Sequence, residues 1–119
     1  MDGIAAYQEI GILTQTPGRL VVMLYDGALK ALRQGIIAIE EKDFERKAKC
    51  FGKAIAIIHE LNGALDMQVG GELADNLRRL YLFMIDRLND ASVTLDTRSI
   101  ERVITLLDEL NGAWKEIAS

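Results

Sequence analysis

The chain has 119 residues, half of them hydrophobic, with a formal net charge of -4. That length suits a single domain, 1–119, with one core, and the acidic balance speaks against a counterion-releasing surface for nucleic acid. No apolar run approaches the roughly 20 residues that cross a bilayer, and MDGIAAYQEIG lacks the basic head and apolar stretch of a signal peptide. The reading is a soluble, cytoplasmic protein without membrane insertion. Cys50 is the single cysteine, so no internal disulfide can form, and beside Phe51 it reads as a small filler.

In chain order, residues 1–15 read as an arm that carries Ile4, Tyr7, Ile10, Ile12 and Leu13. Thr16 is a suitable N-cap and Pro17 a suitable first helical residue, which predicts a helix over 17–41. Leu20, Leu24, Ala28, Ala31, Gly35 and Ala38 share one side of it. Val21, Val22, Tyr25, Leu29, Leu32, Ile36 and Ile39 widen the apolar arc to roughly 200°, about twice a minimal core stripe. Either this helix packs on two neighbours, or half of its arc lines a groove for a partner.

The break EKD supplies Asp43 as the cap of a second helix over 44–66, with Phe44, Phe51, Ile55 and Ile58 on one side and Ala54, Ile57, Leu61, Ala64 and Leu65 beside them. The VGG of Val69 to Gly71 ends it, because glycine takes left-handed conformations cheaply. A third helix over 72–93 carries Leu73, Leu77, Leu80, Tyr81, Met84, Leu88 and Ala91 as a core stripe, with Leu82 and Phe83 outside it. Asp96 caps a fourth over 97–118, with Ile100, Val103, Ile104, Leu107, Leu110, Trp114 and Ile117 facing inward. Helices of similar length joined by short breaks predict an all-α fold: an antiparallel up-down-up-down four-helix bundle with an N-terminal arm.

Tests for chemistry are negative. A carboxylate-bridged di-iron site needs Glu-x-x-His pairs, whereas the one histidine, His59, follows Ala56 by three. A histidine zinc site lacks a second histidine and a cysteine pair, and Gly70–Gly71 has neither a preceding strand nor a following Gly-Lys-Thr/Ser. The serines have no evident base, so no enzyme, cofactor or metal is expected. Asn62 and Asn111 fall in core-facing register, where each either bonds a neighbouring helix or presents its amide to a bound chain. Gly27, Gly35, Gly52, Gly63 and Gly112 lie within helices at a cost of up to about 1 kcal/mol each, which suggests close approach of another backbone. Surplus apolar surface needs a partner, a dimer or a cover, and the arm is the available cover.

The run AYQEIGILTQTPGRLVVMLYDGALKAL, with Met23 to Ala28 at its centre, closely resembles the flagellin export chaperone family, FliS. AIEEKDFERK, IIHELNGALDMQVGGELADNLRRLY and LLDELNGAWKEI are similar to that family too, so the resemblance spans nearly the whole chain. It differs in its short start, MDGIAAY, which holds a single tyrosine. The resemblance implies a cytoplasmic, non-enzymatic chaperone that binds the C-terminal segment of flagellin, prevents premature polymerisation and assists delivery to the type III export gate. Other flagellar regulators are further candidate partners.

On this reading Tyr7, Ile12 and Leu13 serve as arm or cover, and Leu20, Met23, Leu24 and Gly27 form the exposed edge of the first helix. Ile55, Ile58, Asn62 and Leu65 join them as flagellin-binding candidates from the second. The alternative is a homodimeric helical adaptor without flagellin as client, its surplus surface closed against a second copy.

Overall fold

Helix boundaries follow the capping chemistry of the turns. The computed structural model describes residues 14–118, and these fold into α1 (Gly18–Glu40), α2 (Phe44–Gly63), α3 (Gly71–Thr94) and α4 (Thr97–Ala118). The Asp43 carboxylate accepts the Arg46 N–H at 3.1 Å and starts α2. Asp96 accepts the Ser99 hydroxyl at 3.0 Å and the N–H groups of Ser99 and Arg98 at 3.3 and 3.1 Å, which holds its carboxyl below the usual carboxylate range and starts α4. α1 closes on Lys42, at φ 58°, where the Asp43 N–H reaches the Ala38 carbonyl at 2.8 Å and the Lys42 N–H reaches Ile39 at 3.0 Å. These two bonds form a Schellman ending. Leu95, at φ 61°, ends α3 in the same left-handed conformation.

Two boundaries depart from expectation at one contact. The Thr14 hydroxyl and the Gln15 N–H both donate to the Ala64 carbonyl, at 3.3 and 3.0 Å, and Thr14 bridges Leu65. The carbonyl at the end of α2 thereby gains partners outside the helix, and α2 stops at Gly63 rather than near Asp66. The incoming chain stays extended through Pro17 (ψ 141°), so Pro17, not Thr16, occupies the cap position, and its carbonyl takes the Leu20 and Val21 N–H groups.

Cross-helix contacts fix the topology. Gly27 lies against Ile57 and Gly35 against Phe51 and Cys50, so α1 and α2 run antiparallel. Arg33 pairs with Asp108 at 2.8 Å and Asp26 with Lys115 at 3.5 Å, which makes α1 and α4 antiparallel as well. The Lys47 ammonium donates to the Ser92 carbonyl at 2.7 Å and ties α2 to α3. The result is the expected all-α antiparallel four-helix bundle, with α1 packed against both α2 and α4. That double contact accounts for its wide arc: Val21, Tyr25, Leu29, Leu32 and Ala38 are all buried.

The core is centred on Tyr25 and Tyr81, whose hydroxyls meet at 2.6 Å across the bundle, with Trp114 tilted against Tyr25 at 6.4 Å between ring centroids. Burial pushes both phenols above the usual tyrosine value. Gly35 is a true close approach, since an added Cβ would sit 3.1 Å from the Phe51 ring. Gly52, Gly63 and Gly112 have nothing within 4 Å of such a Cβ, so close packing does not explain them. Three residues assigned to core stripes are exposed instead: Leu20, Phe44 and Leu73. Each lies in the first turn of its helix.

Candidate functional site

The candidates from the sequence do not form one patch. Tyr7, Ile12 and Leu13 lie outside the described residues. On α1, Leu20 is 41% exposed and Met23 65%, while Leu24 and Gly27 are half-buried. Ile55 and Asn62 are half-buried on α2, but Cys50 and Ile57 make the flank of that helix that meets α1. At 100° per residue Ile55 and Asn62 fall on the other flank. Ile58 is fully buried in the core, and Leu65 is buried beside Thr14.

A different grouping emerges along the bundle axis. The antiparallel order brings the start of α1, the end of α2, the start of α3 and the end of α4 to one end. Leu20, Met23, Met67, Val69 and Leu73 are all exposed there. Asp66 shapes the α2–α3 turn by accepting the Val69 N–H at 3.0 Å and the Gly70 N–H at 2.8 Å, leaving Val69 64% exposed. Beside it, Leu73, Leu77, Leu110, Ala113, Trp114 and Ile117 line an apolar cavity of about 200 Å³ between α3 and α4.

Sequence reading missed this cavity because its residues are the ends of orthodox core stripes. Periodicity alone cannot show that α3 and α4 part there. The nearest signal was the VGG turn ahead of Leu73, where no preceding helical turn covers the leucine.

The polar residues nearby have structural work. The Asn111 side-chain amide donates to Asp26 Oδ1 at 2.8 Å, and Lys115 approaches the same oxygen, so Asp26 binds α1 to α4. The neighbour of Asn111 is thus a side chain rather than a helix backbone. The side-chain carbonyls of Asn62 and Asn111 are buried without a donor among the described residues. An unsatisfied buried acceptor costs about 1–3 kcal/mol. Tyr25 and Asp26, both inside the MLYDGA run, contribute to the core and to this α1–α4 tie, respectively.

Five exposed apolar residues thus share one end of the helical bundle, while Ile37, Phe44, Leu82, Phe83 and Val93 are exposed elsewhere on it. The comparisons place this bundle in a family. The family model described as "Flagellar protein FliS" matches residues 1–119, and the chain belongs to the FliS family. It is 39% identical to the flagellar secretion chaperone FliS of Salmonella typhimurium, over 98% of this chain and 90% of that protein. It is 40% identical to the flagellar secretion chaperone FliSB of Pseudomonas aeruginosa, over 99% and 97% of the two chains. The FliS of Bacillus subtilis is 39% identical over 93% of this chain and 82% of its own.

Proposed function

We propose that this chain is a cytoplasmic flagellar export chaperone that binds the C-terminal segment of flagellin, keeps it from polymerising early, and helps deliver it to the export apparatus. The observation that carries the reading is the apolar end of the bundle in a member of this family. Leu20, Met23, Val69 and Leu73 offer surface that the fold itself does not use, and the cavity floored by Trp114 accepts one apolar side chain.

A client segment that folds only when packed would lay successive apolar residues over this end, at an affinity reduced by the cost of ordering it. Such capture needs no catalysis.

The test is calorimetric titration with flagellin, in parallel with flagellin lacking its C-terminal segment. Binding to the intact client alone, with a negative heat-capacity change, is the expected result. No binding to intact cognate flagellin, together with a mass that rises with protein concentration, would transfer the apolar end to a homodimer interface.

A further inference from the structure

The seam between α3 and α4 opens a second time, toward the opposite end of the bundle. Phe83, Arg98, Glu101, Arg102, Thr105 and Leu106 line an open cleft of about 490 Å³ that shares no residue with the apolar end. Phe83 is 45% exposed, and the Arg87 guanidinium lies over its ring at 5.2 Å from the centroid.

The charge here runs against that of the protein. The chain carries 18 acidic and 14 basic residues, yet among the described residues no carboxylate lies within 4 Å of the charged groups of Arg87, Arg98 or Arg102. Glu101 is the one acid in the lining. Asp96 feels the field of Arg102, but its oxygens are engaged by Arg98 and Ser99 backbone N–H groups and the Ser99 hydroxyl. Asp86 and Asp90 lie along α3 outside the lining.

Unpaired guanidiniums beside a half-exposed aromatic ring specify a partner. Each guanidinium presents a planar fork of N–H donors that matches a carboxylate with two parallel hydrogen bonds. Phe83 and the half-buried Leu106 provide an apolar floor between them and α3. Nucleic acid fits poorly, because a net charge of -4 would repel the remaining phosphates. We infer that this cleft is a second docking surface, which takes an acidic segment of another protein by seating one aliphatic or aromatic side chain on Phe83 and Leu106 and its flanking carboxylates on Arg98 and Arg102. The inference is independent of the function proposed above, since it uses none of the residues at the apolar end.

The experiment titrates the isotope-labelled full chain with a capped synthetic peptide that carries a Leu-Phe pair flanked by glutamates. One control peptide has lysine for every glutamate, and another has serine for the Leu-Phe pair. Expected are saturable amide shifts at Phe83 and across Arg98 to Leu106, absent with both controls. Binding should weaken about tenfold or more in an Arg98→Glu, Arg102→Glu double variant and fall as salt rises. Both arginines are exposed, so the double variant should keep its thermal transition, and Arg98→Gln with Arg102→Gln provides a second, milder pair. Equal binding of the lysine peptide, shifts confined to the apolar end, or no saturable shift at millimolar peptide would overturn the assignment. Self-association of the free protein that the double variant abolishes would also overturn it, because the occupant would then be a second copy.

Discussion

Replacing Leu73 or Met23 with serine should separate binding from folding. Leu73 is 59% exposed and Met23 65%, so most of each side chain is still in water before a client arrives. Complete burial of such a side chain is worth about 1.5–3 kcal/mol. The exposed share then leaves about 0.9–2 kcal/mol for a client to gain at each position, or about 5- to 25-fold in affinity. The share already buried limits the folding cost to about 0.5–1.2 kcal/mol, a shift of a few degrees in thermal midpoint.

Ile58→Ala makes the contrast, since that side chain is fully buried and should cost about 2–5 kcal/mol of folding. Phe44→Ser supplies the other control, because Phe44 is exposed at the opposite end of the bundle and should leave affinity unchanged. Calorimetric titration with flagellin and thermal unfolding of each variant give the two readouts. If Leu73→Ser and Met23→Ser both bind within twofold of the parent, or if Phe44→Ser weakens binding as much as they do, the apolar end is not where the client sits.

Two further predictions concern the core. Gly35→Ala should destabilise by about 1–2 kcal/mol, because a Cβ 3.1 Å from the buried Phe51 ring overpacks by more than the gain in helix propensity. Gly52→Ala and Gly112→Ala, with open space at the new Cβ, should each stabilise by up to about 1 kcal/mol; urea unfolding of the three variants decides it, and a stabilising Gly35→Ala would refute the packing argument. The Tyr25–Tyr81 pair should also make the fold sensitive to alkali. Both phenols are raised in the folded state by burial, so the unfolded chain loses protons first and stability, intact below about pH 10, declines above it. The slope from the pair has an upper limit of about 2.7 kcal/mol per pH unit, one proton from each phenol, and Tyr81→Phe should reduce it at the expense of a lost hydrogen bond; an unchanged slope would contradict the assignment.

Much of the fold was legible because its punctuation is local. Asp43 and Asp96 cap the helices they precede, and the short breaks force the antiparallel order. What stayed hidden depends on residues far apart in the chain. The end of α2 is set by Thr14, 50 residues from the Ala64 carbonyl it reaches, and no pattern in LNGALDM reveals that partner. Asn111 was legible as a buried polar residue, but its partner Asp26 is 85 residues away and known only once α1 and α4 are adjacent. Gly35 and Gly52 look alike in sequence, and only the position of the Phe51 ring separates a packing glycine from an open one.

The placement of the site follows the same logic. A helical wheel reports an angle, and by angle Leu20 and Leu73 belong to core stripes. Exposure here also varies along the axis: Ala31 and Gly35 share the side of Leu20 and are buried, while Leu20 in the first turn is 41% exposed. The wide arc of α1 therefore reflects its central position, and part of the spare surface lies where four helix ends meet. On the function proposed above, this geometry lets one bundle serve two purposes. Its middle, held by Tyr25, Tyr81, Phe51 and Ile58, can be packed for stability, because the residues free to meet another chain sit where packing demands least of them.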